Sequence, residues 1–174
     1  MENKPIIVDS SFSAVINAPI EKINLPEWCF TLPEHEYQAC SPAHIAAGVT
    51  TSTEGKRMSI NVEILGGNPM VQHYIETVSE PTHLILESVS DVFTPTGRVT
   101  ILVHWEMSVR KIDDNTCEFT NRVLSRPTDD FLKGLEKQGI PFELFKTQRQ
   151  PVSIYHNQSE TPLFAKSIER HALR

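Results

Sequence analysis

The chain has only three cysteines, Cys29, Cys40 and Cys117, an odd count with no CxxC spacing, which argues against both a disulfide framework and a cysteine-based zinc site. They read as buried or incidental free thiols. Long apolar runs are missing too. Nothing approaches the roughly 20 residues of a membrane-spanning helix, so no membrane association is expected. The N-terminus, MENKPIIVDSSF, has at most three consecutive apolar residues, so no secretory leader is expected and the protein reads as cytoplasmic. Basic clusters are equally scarce. Sixteen basic against 22 acidic residues give a net charge of −6, and no Lys/Arg group is dense enough to track a phosphate backbone, which removes nucleic acid from the expected partners.

Catalytic and metal signatures are also lacking. There is no Gly-rich phosphate loop, GxSxG elbow or Walker pattern, and Gly66-Gly67 falls in a turn where glycine supplies φ freedom. Seven histidines (His35, His44, His73, His83, His104, His156, His171) show no HxH, HxxxH or HExxH spacing. The sequence therefore predicts no metal and no cofactor. Only a site assembled across strands would escape this reading.

What is present is β alternation. The 174 residues, 39% hydrophobic and 22% charged, suit one domain with a sizeable core. Ser11 to Ala18 alternates as a first strand, and Pro19 and Pro26 each open a short helix, the second closed by Pro33. Residues 33 to 44 have turn chemistry and no period, which predicts a loop. Ile45 to Thr53 reads as an edge strand. Strands then follow over Arg57 to Leu65, Met70 to Ser79, Leu84 to Phe93, Val99 to Ile112 and Cys117 to Ser125, separated by turn clusters such as Gly66-Gly67-Asn68-Pro69. From Arg126 the period becomes helical, with Thr128 as N-cap and Asp129 and Asp130 in the first turn. A further helix starts at Pro141, Pro151 should kink or end it, and a last helix starts at Pro162.

In that order, with VINAPIEKI (Val15 to Ile23) carrying the first strand through Ala-Pro into a helix, the chain resembles the START-like or SRPBCC superfamily. That superfamily includes pollen allergen-like proteins, polyketide cyclases and aromatases, and Hsp90-ATPase-activator-like proteins. The resemblance implies an α+β helix-grip fold: a seven-stranded antiparallel sheet wrapped around a C-terminal helix, with two short helices between strands 1 and 2. It covers residues 11 to about 158 of a single domain spanning 1–174, with 159–174 a helical extension. It also implies an elongated apolar cavity for lipids, sterols or aromatic molecules. No catalytic signature is shared across the superfamily, so residue roles are read from this chain.

The longest strand anchors the cavity face. Val99, Ile101, Val103, Trp105 and Met107 share one parity and should point inward, leaving His104 and Glu106 in solvent. A three-residue hairpin at Asp113 to Asn115 would then put Phe119, Asn121 and Val123 inside; a two-residue turn would put Thr120, Arg122 and Leu124 there. For the preceding strand, a loop over Pro95 to Gly97 would bury Glu87 and Asp91, at a cost of several kcal/mol. A loop one residue longer would instead bury Leu84, Leu86, Ser88, Ser90 and Val92. His73, on one parity with Val71 and Ile75, is the candidate catalytic base, with Tyr74 the cavity residue if that strand is flipped. The expected ligand contacts are His73, Val103, Trp105, Met107, Phe119, Asn121, Phe142 and Phe145.

Three functions fit. The preferred one is a binding protein for a small apolar or aromatic molecule, expected to need a cavity above roughly 300 Å³. A cyclase, dehydratase or hydrolase would need convergent ionisable groups, for example His73 with Glu87 or Glu63. A protein-interaction module would have a filled core and use the helix from Pro162 to dock a partner or a second copy, as a homodimer.

Overall fold

The computed structural model describes residues 4–174. β1 (Val8–Ile16) leads through a single 3-10 turn (Ile20–Lys22) into two short helices, α1 (Leu25–Thr31) and α2 (Glu34–Ala39). Six strands follow: β2 (His44–Thr51), β3 (Arg57–Leu65), β4 (Asn68–Glu80), β5 (His83–Thr94), β6 (Gly97–Lys111) and β7 (Cys117–Pro127). α3 (Asp129–Lys137) and the long α4 (Phe142–Ala172) complete the chain. The strands form one antiparallel sheet in the order β1-β7-β6-β5-β4-β3-β2, so β1 closes the meander by pairing with the last strand. This is the helix-grip architecture. α4 lies against the inner face, closest to β1 and β7. Among the described residues, no helix is long and apolar enough to cross a membrane.

Local chemistry explains most boundaries. Asn24 caps α1 by accepting from the Glu27 N–H at 3.1 Å, and Thr128 caps α3 through the Phe131 N–H at 3.2 Å. The stretch read as a loop over 33–44 contains α2, a correction. At six residues that helix is too short to show a period, but Pro33 precedes it and Glu34 and Glu36 occupy its positive end.

The second correction concerns α4. It runs unbroken through Pro151 and Pro162, where a kink and a fresh start were expected. Its last third is no appendage: Phe164, Ala165 and Ile168 are fully buried in the core. There Phe164 meets Trp28 edge to face at 5.5 Å, and the Trp28 indole donates to Ser167 Oγ at 2.8 Å. Ser167 Oγ in turn donates to Glu36 Oε1, joining α1, α2 and α4. Burial of this face outweighs the N–H groups the prolines remove.

The register settles the open parities. Val103, Trp105 and Met107 point inward from β6, and β7 follows the three-residue choice, burying Phe119 and Asn121. In β5, Leu84, Leu86, Ser88, Ser90 and Val92 are the buried set. The hairpin achieves this with a two-residue loop, Thr94 pairing with Gly97, rather than the longer loop expected; both have the same parity. Glu87 and Asp91 therefore face outward. There the Glu87 carboxylate accepts from His104 Nδ1 at 2.6 Å, and Asp91 from Arg98. β3 is the surprise, because its polar residues Ser59, Asn61 and Glu63 are the buried ones while Met58, Ile60 and Val62 are half-covered on the other face.

Candidate functional site

The polar inner face of β3 lies opposite a polar stretch of α4. His156 and Glu160 are four residues apart, one turn of helix, so both project from the same face. From the sheet side comes Glu63. His44 enters from the start of β2, where a register shift between His44 and Ala46 marks a bulge, a device that re-aims a side chain at a strand end. The short turn before it is held by the Ala43 N–H donating to Ser41 Oγ at 3.2 Å.

These four groups converge. Glu160 Oε2 lies 3.1 Å from His44 Nε2 and 3.1 Å from His156 Nε2. Glu63 closes the cluster, with Oε1 3.7 Å from His44 Nε2 and Oε2 3.8 Å from His156 Nε2. Each member is braced from behind. His44 Nδ1–H donates to the Tyr37 carbonyl at 2.7 Å, and its ring stacks on the Tyr37 ring at 3.9 Å. His156 Nδ1 meets Ser41 Oγ at 3.3 Å. The Tyr37 hydroxyl donates to Glu63 Oε1 at 2.6 Å and Gln72 Nε2 to Glu63 Oε2 at 3.2 Å. Asn121 Nδ2 donates to Glu160 Oε1 at 3.3 Å while its own carbonyl accepts from the Trp105 indole at 2.7 Å.

Burial sharpens the electrostatics. At His156 burial disfavours the charged ring, but Glu160 and Glu63 outweigh it and raise its pKa to about 9. At Glu160 burial opposes ionisation, and the bonds from His156 and His44 prevail, holding the carboxyl at about 2. Burial, reinforced by the nearby Glu63 carboxylate, pushes the Tyr37 phenol well above its ordinary value. It stays a donor.

Glu63, His156 and Glu160 line a cavity between sheet and helix. Its walls are otherwise largely apolar, with Tyr74, Val103, Trp105, Phe145 and Phe164. It encloses about 100 Å³, below the expected 300 Å³, and its empty space counted out through the mouth is about 930 Å³. The enclosed part suits a single substituted ring. Two further polar groups face it. Gln72 Oε1 is buried without a hydrogen-bond partner, and Arg149 spends its guanidinium on the Leu65 carbonyl at 2.7 Å and Met70 Sδ at 3.5 Å.

Of the ligand contacts expected from sequence, Val103, Trp105 and Phe145 line the cavity. Asn121 sits behind it, bonded to Glu160, whereas Met107 and Phe119 are buried core and Phe142 packs against the core. His73 is a correction. It lies on the outer face with its ring 40% exposed and Nε2 3.3 Å from Asp91 Oδ2, because Met70, Gln72 and Tyr74 take the inward parity. His44, His156 and Glu160 were missed, and Glu63 was named only as a partner for His73. The readable signal was His156 and Glu160 at helical spacing; His44 and Glu63 meet them only through tertiary packing.

No family model matches the sequence, and no curated protein is similar to it. Solved structures are similar in fold. The Zhui aromatase/cyclase from Streptomyces sp. R1128 matches with a TM-score of 0.69 at 9% identity, over 95% of each chain. A START superfamily protein from Mycobacterium smegmatis matches at TM-score 0.55 and 11% identity, over 95% of this chain and 97% of that one. The di-domain aromatase/cyclase BexL, from the BE-7585A biosynthetic pathway, matches at TM-score 0.54 and 9% identity, over 97% of this chain and 51% of that one. At such identities the likeness is one of fold.

Proposed function

We propose that this chain is an enzyme that binds a compact, mostly apolar molecule, an aromatic carbonyl compound by preference, and carries out a hydrolytic or dehydrative step on it. One observation carries the reading: His44, Glu63, His156 and Glu160 converge at the wall of a largely apolar cavity, which the last three line. Burying ionisable groups costs several kcal/mol each before pairing, and simple retention of an apolar ligand has no need of them. A binding protein is therefore the less favoured reading. The interaction module fares worse, since the cavity is open and Phe164, Ala165 and Ile168 of the last helical turns are spent on the chain's own core.

The substrate ring would lie along Trp105, Val103 and Phe164. A hydroxyl on it would donate to the free Gln72 Oε1, and an acidic or phenolic oxygen would reach Arg149. The reacting carbonyl then faces His156 and Glu63, where protons can be given and taken. That two of the matched proteins are titled aromatase/cyclase agrees with chemistry on aromatic compounds in this fold.

The test combines native mass spectrometry for copurifying small molecules with NMR titration and product analysis, using a panel of hydroxylated aryl ketones and aryl esters. At least one member should perturb cavity resonances and be converted, and Glu160→Gln should reduce conversion at least about 100-fold while binding persists. Absence of any copurified mass together with unperturbed cavity resonances across the panel would sink the proposal. Binding without conversion would favour the carrier reading.

A further inference from the structure

We infer that His44, Glu63, His156 and Glu160 form a binding site for one divalent first-row metal ion, Zn²⁺ in the first instance; this rests on the same site as the proposed function and names what it holds. Three observations carry it. The ligand atoms are at metal spacing: a tetrahedral ion with bonds of about 2.0–2.1 Å to nitrogen and oxygen sets its donors about 3.3 Å apart. Glu160 Oε2 lies 3.1 Å from both histidine Nε2 atoms, and Glu63 sets one oxygen 3.7 Å from His44 Nε2 and the other 3.8 Å from His156 Nε2, distances on either side of that value. Ligand atoms of His44, Glu63 and His156 also lie within 4.8 Å of one another.

The outer shell is the second observation. Both histidines present Nε2 to the common centre and turn Nδ1 to an oxygen, the Tyr37 carbonyl for His44 and Ser41 Oγ for His156. For a neutral His44 the bond to the Tyr37 carbonyl fixes the tautomer with a free Nε2 lone pair, as in ligating histidines generally, and a bound metal would displace the protons that the two rings otherwise direct at Glu160. Glu160 keeps Oε2 toward both histidines and receives the Asn121 bond on Oε1, whereas Glu63 presents one oxygen to each histidine and receives bonds from Tyr37 and Gln72. A dication also balances the two carboxylates with both imidazoles neutral, so no net charge is left in the buried site.

The third is an independent sign of a missing polar partner. Gln72 is 5% exposed, bonds Glu63 through Nε2, and leaves Oε1 buried and unpaired on the cavity side. An acceptor beside the Glu63 edge suits a water or substrate oxygen added as a fifth ligand when the four-coordinate site expands. Two imidazoles and two carboxylates favour Zn²⁺ over Mg²⁺ or Ca²⁺, which prefer all-oxygen surroundings.

Elemental analysis of the purified full chain, followed by chelation and titration of the apoprotein with Zn²⁺ and with Co²⁺, tests this. One equivalent should bind, with a Co²⁺ visible spectrum of low coordination number. His156→Gln should abolish stoichiometric binding. Tyr37→Phe keeps the ring that stacks on His44 and should weaken affinity about 10- to 100-fold through loss of the bond to Glu63, which keeps the question answerable if the histidine variant misfolds. Neither retained metal nor uptake by the apoprotein overturns the inference, and undiminished turnover by the chelated chain would then leave the acid-base enzyme standing without it. Stoichiometric Zn²⁺ with no conversion of any aryl compound upholds the metal site and removes the enzymatic reading.

Discussion

Gly66 shows how a residue without a side chain can belong to the ligand site. It sits at φ +56° in the β3–β4 turn, and a Cβ there would fall 2.3 Å from Arg149 Nη1. Gly66→Ala should cost about 1–2 kcal/mol for the left-handed backbone. It should also dislodge the guanidinium, lowering affinity for acidic or phenolic ligands about tenfold while neutral ligands are little affected. Denaturant melts and parallel ligand titrations read the two effects separately. His73 is the opposite case. Placed on the outer face against Asp91, His73→Ala should leave turnover unchanged and shift stability by no more than about 1 kcal/mol. At this scale the sequence was legible where a strand had one apolar parity, as in β6. It was silent at β3, where the inward parity is Ser59, Asn61 and Glu63, because alternation reports two faces and names neither.

At the scale of elements, α4 carries the most. The expected break at Pro162 followed correctly from local chemistry, since proline removes a helical N–H, but no local rule counts what the flanking residues bury. Phe164 is 1% exposed, wedged near Trp28, Trp105 and His44. Phe164→Ala should cost about 3–5 kcal/mol in a chemical denaturation series. A chain ending at residue 158 loses Glu160 together with this wedge, and should show no cooperative thermal transition by circular dichroism. Retention of a sharp transition would mean that the last turns are indeed separable. α2 was invisible for a related reason: six residues, with Tyr37 alone buried, have no room for periodicity, yet they supply both the carbonyl and the ring that fix His44.

For the molecule as a whole, the sheet divides its charges by face. The inner face holds the buried His/Glu cluster and, toward one edge, the Arg57–Glu76 pair, while the outer face carries cross-strand pairs such as Arg122 with Asp9 and Arg110 with Glu118. The bonds from Arg122 hold the Asp9 carboxyl below its usual range; at Glu76 burial pulls upward but the Arg57 bonds prevail, with the same net direction. Groups depressed by folding contribute fully above about pH 4.5, the unfolded range, and lose that contribution as pH falls through their folded values. The melting temperature should therefore drop on acidification below about pH 4.5, and Arg122→Met should make that slope shallower. Asp9 is about two-fifths exposed, so solvent keeps the difference under about 1 kcal/mol, a few degrees at most.

The four converging groups come in two pairs, one from each layer: His44 and Glu63 from the strands, His156 and Glu160 from the helix. Anything gripped by all of them acts as a rivet through the protein. It can be loaded only after α4 has docked, and once loaded it resists the helix lifting away. Occupancy would then report that folding is complete, and amide exchange along α4 should slow on loading far more than exchange in the outer strands, which the rivet does not cross.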